Sequence, residues 1–167
     1  SVKSAGSSTW SHSYLTMNDV QNAGEIRIET ENGSYDSNML GKVTNLPGGS
    51  IKCIRSGGGT RWIPAEIVNQ GSMMVEKDLA TYLQGKVVHS GSLVTPGSTL
   101  IHGNNAEFTM QAGTVDAPGA LWGYNRPFKL LGGTLIGNVG LDHGSIDFGT
   151  NSTTTGTIYP RGNVALT

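Results

Sequence analysis

Gly85-Lys86-Val87-Val88-His89-Ser90-Gly91-Ser92-Leu93-Val94-Thr95-Pro96-Gly97 is cut by glycine three times, with a pair of apolar residues between cuts. The pieces are too short for helices and long enough for strands. Apolar pairs bounded by Gly, Ser and Pro are the mark of short strands joined by tight turns. The same texture runs on through Thr99-Leu100-Ile101, Glu107 to Met110, Thr134-Leu135-Ile136, Ser145 to Phe148 and Thr157 to Tyr159, with further turns such as Pro118-Gly119. This reads as a mainly β chain whose short strands are punctuated by glycine.

Composition sharpens that reading. Of 167 residues, 25 are glycine, 14 % are charged and 36 % are hydrophobic. Globular domains usually carry about 45–50 % apolar residues with glycine included, so a single copy has little material for a core. The expectation that follows is an intertwined homotrimer, in which identical chains complete one shared interior and close their strand edges around an axis. A formal charge of −1 and a pI near 6.4 argue against nucleic acid as a partner, since it attracts basic surfaces. No apolar run is long enough for membrane insertion. Cys53 stands alone, which excludes an intrachain disulfide and a cysteine-based zinc site. Beginning Ser1-Val2-Lys3 without methionine, the sequence reads as a portion of something longer.

Along the chain, residues 1–23 form a polar extension anchored by Trp10 and Tyr14. The N-terminal β region, 24–71, opens with Glu25 to Thr30, where Ile26 and Ile28 share one face of a half-buried strand. Asn32-Gly33 suits a hairpin turn. Leu46-Pro47-Gly48-Gly49 is a turn, Ser50 to Arg55 a strand with Ile51 and Cys53 facing one way, and Gly57-Gly58-Gly59 a loop before Trp62-Ile63. One helix is expected over 73–84, within a connector spanning 72–85. Val75, Leu79, Tyr82 and Leu83 fall at helical spacing, Ser72 can cap the start, and Gly85 stands where a helix ends. The C-terminal Gly-rich β domain covers 86–167, with Thr150 to Gly156 a polar loop or linker. No period repeats exactly along the sequence, so a regular solenoid or propeller is not expected.

The best candidate site is Trp122-Gly123-Tyr124-Asn125-Arg126-Pro127-Phe128. In an extended segment Trp122, Tyr124 and Phe128 share a face beside the polar groups of Asn125 and Arg126. Flat rings next to fixed donors suit a sugar, whose C–H faces stack on aromatics while its hydroxyls seek hydrogen bonds. The competing reading places these rings in the core. Arg61 and Trp62 form a second such pair, for which a strand residue covered by a guanidinium is the alternative. Asp142 with Asp147, or Glu66 with Glu76, could supply the two acids of a glycosidase. His12, His89, His102 and His143 show no metal-ligand spacing, and no metal or cofactor is expected. Neither a phosphate-binding loop nor a nucleophile elbow is present. Cys53 reads as a small core residue.

The stretches Gly85 to Gly97 and Gly132-Gly133-Thr134-Leu135-Ile136-Gly137-Asn138-Val139-Gly140 resemble the distal parts of bacteriophage tail fibres and tailspikes. The resemblance covers about the C-terminal half and is one of style, with no signature motif. It implies a homotrimer on the virion that attaches to bacterial surface glycan or protein, alongside other tail proteins. It carries over no catalytic residue. A glycan depolymerase, or a purely structural shaft or capsid-decorating domain, are the rival readings.

Overall fold

The computed structural model describes residues 2–4, 12–30, 36–55, 60–77, 79–103 and 105–167. Its strands are β1 (Val2–Ser4), β2 (His12–Asn22), β3 (Glu25–Thr30), β4 (Asp36–Asn45), β5 (Ser50–Cys53), β6 (Arg61–Ile63), β7 (Glu66–Asn69) and β8 (Ser72–Val75). They continue as β9 (Ala80–Leu83), β10 (Lys86–His89), β11 (Ser92–Val94), β12 (Ser98–Ile101), β13 (Glu107–Met110), β14 (Thr114–Thr154) and β15 (Thr157–Leu166). Every pairing among them is parallel. The chain is a parallel β-solenoid.

Three faces build each coil. Face one stacks β1, β3, β5, β8 and β11, and face two stacks the first half of β4 with β6, β9 and β12. Face three stacks the second half of β4 with β7, β10 and β13. The long β14 shows the winding within one strand. Its Thr114–Asp116 pairs with β11 on face one, Leu121–Gly123 with β12 on face two, and Phe128–Leu130 with β13 on face three. Further on it pairs with β15.

Glycine sets one corner of every coil. Gly49-Ser50-Ile51, Gly71-Ser72-Met73, Gly91-Ser92-Leu93, Gly113-Thr114-Val115 and Gly133-Thr134-Leu135 occupy successive copies of one position between faces three and one. The amide after each glycine donates to the glycine carbonyl one coil earlier, as in Ser72 N to Gly49 O (2.9 Å), Ser92 N to Gly71 O (2.8 Å) and Thr114 N to Gly91 O (2.9 Å). The stacking is so close that a Cβ on Gly91 would sit 2.0 Å from the Gly71 carbonyl oxygen. No side chain fits there.

The interior is enclosed by one chain. Ile28, Cys53, Val75 and Leu93 on face one, Met39, Ile63, Leu83 and Ile101 on face two, and Val43, Ile67, Val87 and Phe108 on face three are buried. Alternation along each strand puts their neighbours outside. Phe108 and Phe128 stack in register, ring centroids 4.9 Å apart. Cys53 lies wholly inside, and burial pushes its thiol up to about 12, which leaves it inert as the sequence suggested. The apolar shortage is met by economy. In a solenoid one residue in two along each short strand fills a narrow interior, so a low apolar fraction suffices. The incomplete core that motivated an intertwined trimer is therefore absent from the described coils.

Four expectations are corrected. Residues 73–84 form no helix: β8 and β9 stand there on two different faces. Met73, Val75, Leu79, Thr81 and Leu83 point inward, two strands of period two separated by the Glu76-Lys77 turn. Strand alternation broken by a turn imitated helical spacing, and Gly85 is a corner glycine whose Cβ would meet Ala65 O at 2.2 Å. The fold is a solenoid although no fixed period was found. Register partners lie 18 residues apart between Tyr82 and Leu100 but 25 apart between Ile28 and Cys53, because coils absorb insertions at their corners. The N-terminal 1–23 is more than a polar extension, since β2 pairs with β4 along most of its length. The 150–156 segment likewise begins as strand, ending β14 at Thr154. Asn32-Gly33 and the triple glycine lie outside the described residues, but β3 pairs in parallel with β1 and β5, which is not a hairpin arrangement.

Candidate functional site

Parallel stacking turns equal positions on successive coils into a ladder, and on the outer side of face two the ladder is aromatic. Trp62 pairs in register with Tyr82, Tyr82 with Leu100, and Leu100 with Trp122. Trp62 and Tyr82 stack with centroids 4.3 Å apart and planes 16° off parallel. Trp62 Nε1 donates to Asp36 Oδ2 at 3.0 Å. His102 meets Tyr82 edge-on at 6.3 Å and Tyr124 edge-on at 5.3 Å. The two aromatic motifs picked out in the sequence thus lie on one face.

At the C-terminal end of this strip the surface opens. Leu100, Trp122, Gly123, Tyr124, Asp142 and Arg161 line a cleft of about 280 Å³. Beside it Trp122, Ile158, Tyr159, Pro160 and Arg161 line a second of about 390 Å³. Trp122 and Arg161 belong to both, so the two form one groove. By contrast, the pocket between Met110, Leu130, Leu135 and Phe148 holds no room for a ligand.

Glycines and bulges place these groups. Trp122 lies over Gly140 of the next coil, where a Cβ would come within 2.1 Å of the indole. The Arg161 guanidinium sits 4.8 Å from the indole centroid, a cation–π contact. Asp142 and Arg161 are register partners on β14 and β15, directly before a bulge at Asp142/Gly144. The bulge residue His143 holds Asp142 Oδ1 through Nδ1 at 2.8 Å, and its ring covers Gly162. Arginine is thus turned onto the indole and the carboxylate onto the imidazole, both at the groove. Tyr124 is half exposed.

Backbone strain collects in the same place. Among the described residues four non-glycine residues are left-handed, and three flank the groove: Ala120 (φ 77°), Asn125 (φ 53°) and His143 (φ 59°). Such conformations cost about 1–3 kcal/mol each and concentrate at binding sites, where they aim side chains. Asn125 thereby turns the chain just after Tyr124.

The seven residues read from sequence separate as follows. Trp122 and Tyr124 line the groove; Asn125 is exposed at its edge and Arg126 half-buried next to it. Phe128 is core, stacked on Phe108. Trp62 joins the outer strip. Arg61 does not: it points into the solenoid and is fully buried, with Nε donating to Ile28 O (3.3 Å) and an Nη to Ile54 O (2.6 Å). Adjacent strand residues face opposite ways, so Arg61 and Trp62 could never share a site. Trp10 lies outside the described residues. Sequence reading missed Asp142 as a binding group, Arg161, Tyr159, Tyr82 and His102. Only the register brings them together, and the five are scattered over 80 positions without a motif.

The acid pairs dissolve. Glu66 begins β7 on face three, whereas Glu76 follows β8 on face one and accepts from the Arg55 amide. Asp147 accepts from the Thr167 hydroxyl and lines neither cleft, so among the described residues Asp142 is the single carboxylate lining the groove. Among the described residues no cluster of three potential metal ligands occurs.

The chain matches no known family model, and no curated protein or solved structure resembles it significantly.

Proposed function

We propose that this solenoid is a carbohydrate-binding module whose ligand lies in the groove over Trp122. The observation that carries the reading is the composition of that groove: aromatic rings, a guanidinium with no ion pair among the described residues and a carboxylate on one strained surface. Sugars need both an apolar ring for their C–H face and fixed donors and acceptors for their hydroxyls. Arg161 donates, Asp142 Oδ2 accepts, and Tyr124 and Tyr159 offer ring and hydroxyl together. A single groove carboxylate supports binding in preference to hydrolysis, which takes two.

The setting follows the resemblance to tail fibres and tailspikes: a virion appendage that attaches to a bacterial surface glycan. In this reading the homotrimer consists of three complete solenoids side by side, giving about three times 17.5 kDa by light scattering. The functional test is an array of bacterial capsular and lipopolysaccharide O-chain polysaccharides. The native protein binds at least one, and the double variant Trp122→Ala/Tyr124→Ala, folded by circular dichroism, binds none. Silence of the native protein across such arrays, or undiminished binding by the double variant, overturns the proposal. Release of reducing ends from a bound polysaccharide would favour the depolymerase instead.

A further inference from the structure

We infer that the ligand is a chain of several sugars running parallel to the solenoid axis, with Trp62 and Tyr82 as its far contacts. This rests on the reading of the groove as a glycan site and adds the size and direction of what it takes.

The argument is one of spacing and continuity. Parallel strands stack about 4.8 Å apart, close to the length that one pyranose adds to an extended glycan. Face two carries a ligand-competent side chain on nearly every coil. Trp62, Tyr82, Leu100 and Trp122 follow each other in register, Gly140 lies beneath Trp122, and Tyr159 pairs with Gly140. Five steps of coil stacking, roughly 24 Å, separate Trp62 from Tyr159. The groove itself, from Leu100 to Tyr159, covers the last three of these.

His102 makes the strip continuous. It touches Tyr82 on one side and Tyr124 on the other, so no gap divides the Trp62–Tyr82 stack from the groove. Trp62 is fixed by its indole bond to Asp36 and by Tyr82, and so presents a preorganised edge that loses little freedom when a ligand arrives. The other faces offer nothing comparable. The outer side of face three carries the charges of Lys42, Glu66, Lys86 and Glu107 at matched positions, and that of face one carries Glu25, Arg27 and Lys52.

Size-fractionated oligosaccharides of two to ten units, cut from an array-positive bacterial polysaccharide, test this by calorimetry. Affinity should climb at least tenfold between two and about five or six units, then level off. Trp62→Ala should remove most of that gain while leaving the affinity for two-unit fragments unchanged. Tyr82→Ala should do the same and serves as the second variant if Trp62→Ala melts early. Equal affinity at two and ten units, or an unaltered length dependence in both variants, overturns the axial polymer while leaving glycan binding in place. If no polysaccharide binds at all, the groove reading and this inference fall together.

Discussion

The N-terminal coils and the C-terminal coils use the same winding for opposite ends. Between Asn22 and His89 the interior of one corner is polar. Asn22 Nδ2 donates to Asn45 Oδ1 (2.7 Å), Asn45 Nδ2 to Asn69 Oδ1 (2.7 Å), and Asn69 Nδ2 to His89 Nδ1 (3.0 Å). Each amide also reaches the carbonyl that opens the next strand, Ser50, Ser72 and Ser92 in turn. His89 ends the series by giving Nε2–H to Thr114 O (3.0 Å). Its register partner Met110 is apolar, as is Leu130 after it. From there on, the corner is held by packing, the grooves open, and three of the four left-handed non-glycine residues among those described are found, Asp19 in β2 being the fourth. Satisfied polar chains specify a register because a slipped coil would bury unpaired amides. The first half is built to be unique, and the second half trades some of that for an open, aromatic-lined surface.

Breaking the polar corner should have the largest effect. Asn45→Ala leaves the buried Asn69 Oδ1 without its donor, takes one acceptor from Asn22 Nδ2 and one donor from the Ser72 carbonyl, and should cost on the order of 3 kcal/mol by chemical denaturation. The matching change in the apolar stretch, Met110→Leu, should cost under about 1.5 kcal/mol. Equal losses would erase the distinction between the halves.

Gly140→Ala attacks the grooved half. Its methyl would displace the indole of Trp122, and glycan affinity should fall roughly tenfold while the melting temperature of the N-terminal corner, followed by amide exchange, is unchanged. Normal affinity in this variant would mean that the indole position does not matter.

His89 couples the corner to pH. Burial holds its imidazole below the ordinary histidine value, since a proton on Nδ1 would face the Asn69 donor. With the folded value depressed, the unfolded chain takes up the proton first as pH falls. Stability is therefore full above about pH 6.5, declines below it by at most about 1.4 kcal/mol per unit, and levels off beneath the folded value. His89→Asn, which can accept and donate in the same two directions, should flatten this profile between pH 7 and 5.

The smallest effect belongs to the surface. Lys129 lies 2.9 Å from Glu107 and lowers its carboxyl below the usual range. Both side chains are about a third exposed, so Glu107→Gln should move the melting point by no more than about a degree or two.

How much of this could be read beforehand divides along physical lines. Strands at Glu25 to Thr30, Ser50 to Cys53 and the apolar pieces from Val87 onward were legible, because alternation and glycine are local signals. Trp122 and Tyr124 were legible as sharing one strand face for the same reason. The coil was not, because its register partners drift between 18 and 26 residues. The signal that survives the drift is the corner triplet of glycine, hydroxyl residue and aliphatic at Gly49, Gly71, Gly91, Gly113 and Gly133. Asn22, Asn45 and Asn69 precede that corner too, but asparagine is common enough here to hide them. Arg161 and Asp142 become neighbours only through winding, which no linear pattern records.

The corner triplet also has a bearing on how such a molecule can grow. Each turn of the chain brings its own hinge and its own hydrogen-bonded seam, so copying residues 92–113 in tandem would lengthen the rod without asking any neighbour to adjust. A lineage built this way can extend its outer aromatic strip by duplication and then vary the copies one side chain at a time.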